Sequence, residues 1–319
     1  MYIMKLRPFA KETLWGGDKL EKHYHKDFGI ATLGETWELS THPQGLCTIA
    51  NGEYQGKSLL EVLNQHPEIC NYRQNAQGEL PILVKLIDSK KPLSIQVHPD
   101  DQYARTFEND NGKTEMWYVL AADEGAQLIF GFEHNMTKEK VRDAIENGCL
   151  EKYLHYENVH AGDSFLIQAG TVHAIGSGIV LAEVQQSSNV TYRLYDYNRV
   201  DKNGKKRELH VAKALDVLKL DAFDAKNGQK KVARAKSNLA QEEVCACQYF
   251  QVDKYTIKDD VQINCDNSDF VVILCINGSG KAVANDSNCE FIQGDCLLIP
   301  KKYRSFKVIG DCQLLKIIC

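Results

Sequence analysis

Short apolar or alternating runs separated by turn residues dominate the chain and predict β-strands. Residues 36–40 alternate between polar and apolar side chains, which is the period of a strand with one buried face. Further runs have the length and composition of strands, and they are 80–87, 93–97, 115–121, 126–132, 164–167 and 179–185. Many short strands with turns between them are typical of a sandwich or a barrel, so the pattern predicts a mostly β fold.

Helical periodicity is confined to a few short segments. Residues 58–64 begin with a serine that can cap the first turn, and they place three leucines on one side. Residues 137–147 begin with a threonine suited to the same role, and Gly148 follows where a C-terminal glycine is expected. Residues 208–219 have apolar side chains one turn apart. We therefore expect a few short helices on a β framework.

Two glycine-led segments of similar pattern indicate an internal repeat. Segments 162–173 and 294–305 both begin with Gly-Asp and continue through an apolar run that contains leucine and isoleucine. The first is similar to the second half of the cupin motif, whose closing histidine corresponds to His173, whereas the second segment has Ser305 there. The resemblance implies two cupin-type jelly-roll barrels, of which only the first can hold a metal at this position. The alternative is a pair of ordinary turns before apolar strands.

The distribution of histidines suggests how the chain divides into domains. All ten lie at or before position 210, so any imidazole chemistry belongs to the first two-thirds of the chain. The stretch 222–241 is polar and rich in turn residues, and we interpret it as a linker or a crossing strand. The prediction is a metal-binding catalytic domain with helical segments over residues 1–235, and a degenerate jelly-roll domain without metal ligands over residues 236–319.

Composition and charge narrow the class of protein. The 319 residues are 43% hydrophobic and 25% charged, which is globular composition with enough length for a sizeable core. The formal net charge is −5 and no basic block exceeds residues 205–207, so we expect no nucleic-acid partner. No apolar run has the length of a membrane span and the N-terminus lacks the apolar stretch of a signal peptide, so we expect a cytoplasmic protein with no membrane partner. Of the eleven cysteines, eight lie among apolar residues at 245–319, and we interpret them as core residues rather than disulfides.

Polar side chains that share strand faces suggest a metal site inside the first barrel. They are Ser94, Gln96 and His98 on one strand, Lys113 and Glu115 on a second, and His173 in the cupin-like segment. Two imidazoles and one carboxylate from separate strands would bind a metal and leave positions open for a substrate. Zinc, Fe(II) and Mn(II) would all suit these ligands. Taken singly, each histidine could instead be a satisfied core residue and each charge a solvated edge residue.

Strings spread over the whole chain resemble type I mannose-6-phosphate isomerase (phosphomannose isomerase) in its short bacterial form. They are KETLWGG at 11–17, GETWE at 34–38, QVHPD at 96–100, KTEM at 113–116, AGTVHA at 169–174 and EVQQSSNVTYRLYDY at 183–197. The resemblance implies that mannose 6-phosphate and fructose 6-phosphate are interconverted by proton transfer between C1 and C2 through a cis-enediol(ate). It further implies one zinc ion per chain, held by Gln96, His98, Glu115 and His173, together with a catalytic Arg193.

The expected roles of three further groups follow from this chemistry. Arg193 does not readily give up its proton, so we expect it to stabilise negative charge on the enediolate or the phosphate rather than to act as the base. Lys113 is expected to contact the substrate or to handle a proton, and Ser94 to donate a hydrogen bond to the phosphate. The sequence does not identify the catalytic base.

Other functions and two further patterns bear on this interpretation. An Fe(II) dioxygenase could use the same two histidines and carboxylate, and a sugar-binding or regulatory cupin would need no metal.

The string GSGK at 278–281 lacks the first glycine of a phosphate-binding loop, so we expect a hairpin turn there. The run 196–207 is interpreted as a turn with solvated charges rather than a binding patch.

Overall fold

The computed structural model describes residues 1–70, 79–201, 203–224, 241–265 and 268–319, and all structural statements concern these residues. They form five α-helices and twenty β-strands, which confirms the mostly β prediction. The helices are α1 (Lys19–Tyr24), α2 (Leu59–Gln65), α3 (Asp101–Phe107), α4 (Lys138–Glu146) and α5 (Val211–Val217), with short 3₁₀ segments at Gly52–Tyr54, Pro67–Ile69 and Leu150–Tyr153.

The strands fall into two groups along the chain. Those before the long undescribed segment are β1 (Met4–Arg7), β2 (Phe9–Gly17), β3 (Leu33–Leu39), β4 (Thr48–Ile49), β5 (Ile82–Ser89), β6 (Ile95–Val97), β7 (Glu115–Ala122), β8 (Gln127–Phe132), β9 (Leu154–Asn158), β10 (Ser164–Ile167), β11 (His173–Ile175), β12 (Ile179–Gln186) and β13 (Tyr192–Tyr195). Those after it are β14 (Gln241–Ala246), β15 (Gln251–Ile257), β16 (Asp260–Asn264), β17 (Phe270–Ala284), β18 (Ser287–Ile292), β19 (Cys296–Pro300) and β20 (Ser305–Ile318).

Three antiparallel sheets contain these strands. A six-stranded sheet has the order β10-β7-β12-β5-β3-β2, and a five-stranded sheet has the order β13-β6-β11-β8-β9. A nine-stranded sheet has the path β14-β15-β20-β17-β19-β1-β4, with β16 paired to β20 and β18 paired to β17. The N-terminal strand β1 therefore belongs to the same sheet as the C-terminal strands. The predicted boundary at residue 235 and most of the predicted linker lie outside the described residues, so the division into domains stays a prediction.

The six-stranded sheet is covered on both faces. On β12, Ile179 and Leu181 belong to an apolar cluster shared with Phe130 of the five-stranded sheet. The alternate residues, such as Val184, belong to a second cluster shared with Leu274 of the nine-stranded sheet. Every residue of β12 is buried, and this explains why the strand begins with four consecutive apolar residues, 179–182, rather than alternating. The period of two still directs every second side chain of this sheet into the space between the six- and five-stranded sheets.

The predicted helices are present, and their caps are those expected from sequence. Ser58 accepts a hydrogen bond from the backbone N–H of Glu61 and so caps α2. Thr137 does the same for α4 through the N–H of Lys140, and Gly148 follows that helix with φ at +63°. Helices α1 and α3 were not predicted, because each is short and has only one or two buried side chains to generate a periodic pattern.

The two Gly-Asp segments adopt the same turn. Gly162 and Gly294 have φ of +92° and +91°, and each donates its backbone N–H to a strand carbonyl at 2.8 Å. In each turn the aspartate Oδ2 accepts a hydrogen bond from the backbone N–H three residues earlier, at 2.8 Å for Asp163 and 2.9 Å for Asp295. The turns precede β10 and β19, which supports a genuine repeat over a coincidence of two unrelated turns.

The hairpin turn expected at residues 278–281 is wrong, because β17 continues through it. Gly278 has φ of +75°, and a Cβ there would lie 2.1 Å from the carbonyl oxygen of Asp311 on β20. A register shift between Cys275 and Asn277 shows that this glycine serves a β-bulge where two strands approach closely.

The eleven cysteines are all free and all lie within the described residues, as the sequence suggested. Eight are buried, so they fill apolar space as small side chains. Among the described helices none is both long and apolar enough to cross a bilayer.

The two repeated turns provide a matched test of packing between the sheets. Gly294→Ala and Gly162→Ala should share a cost of about 1–2 kcal/mol for a left-handed φ in an L-residue. At Gly294 the new Cβ would also lie 2.3 Å from the carbonyl oxygen of Tyr24, whereas at Gly162 the nearest atom is 4.0 Å away. We therefore expect Gly294→Ala to lower the thermal unfolding midpoint clearly more than Gly162→Ala. Equal midpoints for the two variants would contradict this packing.

Candidate metal centre and active-site cavity

Strand register brings the predicted site residues together. In the five-stranded sheet Gln96 on β6 is paired on one side with His173 and on the other with Arg193. In the six-stranded sheet Glu183 on β12 is paired with Lys85 on β5 and with Trp117 on β7. Directly paired residues point to the same face of a sheet, and here both faces are turned into the space between the two sheets.

A buried His-Glu-His group lies between the sheets. Glu115 Oε2 is 3.4 Å from His98 Nε2, and Glu115 Oε1 is 3.4 Å from His173 Nε2. One ligand atom from each residue lies within 4.8 Å of the others, and all three side chains are buried. Two imidazole nitrogens and a carboxylate oxygen at these separations could hold a divalent metal ion.

The Nδ1 atom of each imidazole lies within hydrogen-bond distance of a backbone carbonyl oxygen. His98 Nδ1 lies 2.8 Å from the carbonyl oxygen of Val190, and His173 Nδ1 lies 2.9 Å from that of Thr171. A carbonyl oxygen only accepts, so both Nδ1 atoms carry a proton, and in a neutral ring Nε2 is then the unprotonated nitrogen. The Nε2 lone pairs are then directed at the carboxylate, which is the tautomer that a metal ligand requires.

Glu115 shows the signature of a group that needs a cation. Neither carboxylate oxygen accepts a hydrogen bond of good geometry from any described residue, although Lys113 Nζ lies 2.7 Å from Oε2. Such unsatisfied buried oxygens are costly, and a metal ion bound to them would remove that cost. The residues present therefore fit a metal.

Gln96 and Ser94 adjoin this group. Gln96 Nε2 lies 3.4 Å from His173 Nε2, and Ser94 Oγ donates a hydrogen bond to Gln96 Oε1 at 3.4 Å. Rotation of the amide about its last bond exchanges nitrogen and oxygen, so Gln96 could present Oε1 as a further ligand atom. The structure thus brings Gln96 to the group without making it a ligand in this state.

An alternating chain of buried charges leads away from the metal group. Lys113 Nζ lies 2.7 Å from Glu115 and 3.7 Å from Glu183. Lys85 then lies 3.0 Å from Glu183 and 3.8 Å from Glu35, and Glu35 in turn is 3.5 Å from Lys11. Trp117 Nε1 donates to the second oxygen of Glu183 at 3.0 Å. Each carboxylate is flanked by lysines, so the charges compensate one another in a space with little water.

The electrostatics of this chain set the protonation states of the candidate ligands. Burial lowers the pKa of His98 to about 3, with a further contribution from the positive charge of Lys113, and burial lowers that of His173 as well. Burial alone would raise the pKa of Glu115, but Lys113 and the two histidines lower it well below its usual value. Burial opposes the charged form of Lys113, yet its pKa is raised because Glu115 and Glu183 favour the ammonium. At neutral pH the imidazoles are neutral, the carboxylate is ionised, and the lysine is a proton donor.

A cavity of about 590 Å³ opens next to the metal group. Its wall includes Ser94, Gln96, Lys113, Glu183 and Arg193, so it reaches residues that contact the cluster. Volumes of this order are typical of small-molecule sites. The polar and charged groups of both signs on its wall favour a polar ligand over an apolar one.

Arg193 lines the cavity, and no carboxylate in the described part of the chain forms an ion pair with it. Asp196, which could have paired with it, is instead bound by Arg199 and Arg207. The Nε of Arg193 is buried and donates to no described residue, and burial together with the charge of Arg207 lowers its pKa. A guanidinium in this position has hydrogen-bonding capacity available for a ligand.

Sequence reasoning missed several charged residues of the cavity. Lys85 and Glu183 are the only charged residues within the apolar stretches 82–87 and 179–185. A lone charge in a strand buried on both faces indicates a buried partner, and this signal could have identified both residues.

The interpretation of 196–207 as a turn with solvated charges is wrong for Asp196, which is 5% exposed, and for Arg207, which lines the cavity. These two residues depart from the sequence-based interpretation because the buried carboxylate of Asp196 binds two guanidiniums.

Comparisons with known proteins extend the likeness over the whole chain. The family model for the catalytic domain of type I phosphomannose isomerase matches residues 3–129, and that for the mannose-6-phosphate isomerase cupin domain matches residues 241–319. The chain is 35% identical to a mannose-6-phosphate isomerase of Streptococcus mutans over 308 residues, 95% of this chain and 93% of the relative. It is 35% identical to one of Bacillus subtilis over 315 residues, 97% of this chain and 96% of the relative.

Solved structures agree with this likeness. The crystal structure of the mannose 6-phosphate isomerase from Bacillus subtilis superposes with a TM-score of 0.92 at 33% identity and covers 100% of both chains. A phosphomannose isomerase structure from Salmonella typhimurium superposes with a TM-score of 0.77 at 16% identity, covering 100% of this chain and 99% of the other, which shows the shared fold alone. The cupin fold predicted from the repeat is confirmed.

The buried charge chain predicts an asymmetric response to loss of its lysines. In protein treated with a chelator, Lys113→Met should lower the free energy of unfolding by about 3–5 kcal/mol, because it leaves ionised carboxylates buried without their counterion. Lys11→Met is the matched control, since this side chain is 39% exposed and its pair with Glu35 is solvent-screened, so we expect a loss below about 1 kcal/mol. Urea unfolding at pH 7 measures both variants. Similar losses for the two would refute the assigned importance of the buried chain.

Proposed function

This chain belongs to the type I phosphomannose isomerase family, and we propose that it interconverts mannose 6-phosphate and fructose 6-phosphate at a zinc centre formed by Glu115, His98 and His173. The single observation that supports this centre most strongly is the buried Glu115 carboxylate. It faces two Nε2 lone pairs, and neither of its oxygens has a well-formed hydrogen bond from a described residue.

The ligand set and the cavity support zinc isomerase chemistry over the alternatives. Two imidazoles and a carboxylate would also suit Fe(II), so the ligands alone do not decide the metal. The cavity, however, is lined by Lys11, Lys113, Arg193 and Arg207, which suit a phosphorylated sugar. An oxygenase acting on a neutral substrate would not need these cations, and a purely structural cupin would not need the unsatisfied carboxylate.

Aldose–ketose isomerisation moves a proton between C2 and C1 through a cis-enediol(ate), so negative charge develops on the sugar oxygens. A zinc ion held by His98, Glu115 and His173, with Gln96 as a further ligand, would supply Lewis-acid stabilisation of that charge. The neutral imidazoles and ionised carboxylate are already in the protonation states that bind a metal, so no proton has to be removed first.

Lys113 has the properties of a hydrogen-bond donor to the substrate. Its ammonium is held between Glu115 and Glu183 and lines the cavity, and its pKa is raised. In this state it would donate to a sugar oxygen and would not abstract the C–H proton. Of the two expectations for Lys113, substrate contact is therefore the one we propose.

Arg193 has the properties of an electrostatic catalyst. It is adjacent to Gln96 across the β6–β13 register, and its unpartnered Nε can donate to an oxygen in the cavity. We assign it the stabilisation of the enediolate, and we assign Ser94, which lines the same wall, to a hydrogen bond with the substrate phosphate. The eleven unpaired thiols suit the reducing cytoplasm, where we place the protein.

Removal of metal ligands tests the proposed centre. Chelation should abolish isomerisation of mannose 6-phosphate, and added zinc should restore it. His173→Ala and Glu115→Ala should each lose the metal and most activity, because each removes a ligand, while Ser305→Ala, at the equivalent position of the second repeat, should keep both. Elemental analysis of protein purified without added metal, followed by a coupled assay, provides the measurement. Full activity in verified metal-free protein, or wild-type metal content in both ligand variants, would overturn the proposal.

Substitution of Arg193 separates chemistry from metal binding. Arg193→Ala should leave zinc content unchanged and lower kcat by about 10²–10³, the scale for removal of one preorganised donor to a developing oxyanion. Arg142→Ala, at an exposed position on α4, controls for loss of an arginine as such and should be kinetically silent. Steady-state kinetics with zinc measured on the same samples decides the outcome. Unchanged kcat with a raised KM would instead indicate that Arg193 only binds the substrate.

A further inference from the structure

Two arginines bind one buried carboxylate, Asp196, beside the cavity. Arg207 donates to Asp196 through Nε at 2.8 Å and through one terminal nitrogen at 2.5 Å. Arg199 also donates to Asp196, and its other terminal nitrogen donates to the carbonyl oxygen of Pro92 at 2.6 Å. Of these two, only Arg207 lines the cavity, together with Arg193.

Asp196 holds Arg207 in a fixed orientation but leaves part of its guanidinium available. The contacts use Nε and Nη2, and no described residue accepts a hydrogen bond from Nη1. A guanidinium with one edge anchored and its remaining N–H groups toward a cavity is suited to an oxyanion, because its planar fork can bind two oxygens at once. Arginine on a flexible exposed chain would lack this preorganisation.

Two guanidiniums, those of Arg193 and Arg207, line this part of the cavity wall. Arg193, Arg199 and Arg207 are accompanied by the carboxylates of Asp196 and Asp201. Asp201 lines the cavity too, but one of its oxygens accepts the backbone N–H groups of Asn203 and Lys205 and so belongs to its own turn. Burial lowers the pKa of Arg193, and the positive charge of nearby Arg207 lowers it further, although Asp196 acts in the opposite direction.

This group lies at some distance from the metal ligands. Arg199 is bound to the carbonyl oxygen of Pro92, which lies before β6 and four residues before Gln96, at most about 13 Å along the chain. In a hexose 6-phosphate the reacting carbons C1 and C2 and the phosphate on C6 are at opposite ends of the molecule. A substrate with its reacting end at the His-Glu-His group would therefore direct its phosphate toward the arginines.

We propose that Arg207, oriented by Asp196, binds the phosphate dianion of the substrate and makes the site specific for phosphorylated sugars. The proposal rests on the proposed function for the identity of the sugar, but its ligand chemistry, a phosphate monoester, follows from the cavity itself. Arg207 thereby has a role different from that of Arg193. It binds a group that does not change during the reaction, so it contributes the same binding free energy in the ground state and in the transition state.

The test compares two neighbouring cations of one loop. Arg207→Ala should raise KM for mannose 6-phosphate by about 10- to 100-fold, the effect expected for loss of a charge-assisted hydrogen bond, while kcat stays within about threefold. It should weaken the binding of inorganic phosphate, measured by calorimetry and as competitive inhibition, by a similar factor. Lys206→Ala is the matched control, because Lys206 is exposed and its Nζ donates to Asn198. The control should leave KM, kcat and phosphate binding at wild-type values.

A second variant guards against misfolding. Arg207→Lys keeps the positive charge beside Asp196, and it should fold like the wild type while recovering only part of the phosphate affinity, since an ammonium cannot bind two oxygens in the same way.

Unchanged KM and phosphate binding in folded Arg207→Ala would overturn the proposal, and so would a fall in kcat with KM unchanged. If the wild-type protein fails to isomerise mannose 6-phosphate but its phosphate binding still depends on Arg207, the proposed function fails and the phosphate site stands. If Arg207→Ala isomerises mannose 6-phosphate with wild-type KM, the phosphate site fails and the proposed function stands.

Discussion

The ionised carboxylate of Glu115, fully buried between two sheets, is the constraint on which the rest of the site depends. A buried charge is tolerated only beside an opposite charge, and here the partner is Lys113 at 2.7 Å. Lys113 is itself buried and is balanced by Glu183, which in turn requires Lys85. Glu115, Glu183 and Lys85 lie on strands of the six-stranded sheet, and Lys113 lies two residues before β7. A shift of one residue in any of these strands would point its charged side chain to the opposite, apolar face of the sheet. The strand register and the positions of the charges therefore constrain each other.

The second barrel contributes to this site without supplying any of its residues. Its nine-stranded sheet covers the outer face of the six-stranded sheet through one continuous apolar cluster. The contact also includes polar links, since Lys26 joins Glu38 to the carbonyl oxygen of Gly294, and Tyr249 donates to Asp101, directly after the loop that follows His98. A sheet buried on both sides excludes water from the charges on its inner face, and this strengthens their mutual attraction. The nine-stranded sheet thus supports the charges of the site by covering the sheet that holds them.

The sequence predicted those features that depend on neighbouring residues. Strand runs, the caps Ser58 and Thr137, and the shared face of Gln96 and His98 all follow from local spacing. The ion partner of Glu183 does not, because Lys85 lies 98 residues before it. The partners of Asp196 are close in sequence, but burial of that carboxylate is a tertiary effect that the polar turn 196–207 does not indicate. The bulge at Gly278 was mistaken for a turn for the same reason, since only the approach of β20 explains the glycine. Residues close in sequence are enough to predict strands and helices. To predict which buried charges pair, one must also know which strands are neighbours in a sheet.

In the proposed function, strand β13 and the turn that follows it would divide two tasks between two arginines. Arg193 lies beside Gln96 in the sheet, where charge would change during the reaction, and Arg207 is fixed by Asp196, where a phosphate would keep its charge throughout. Interactions that strengthen only in the transition state raise kcat, while a contact to an unchanging dianion contributes binding energy that positions the substrate. Placing the phosphate contact on a turn and the catalytic contact on a strand has a further consequence. The turn can vary to accept different phosphorylated ligands while the register that holds Arg193 against the metal group remains fixed.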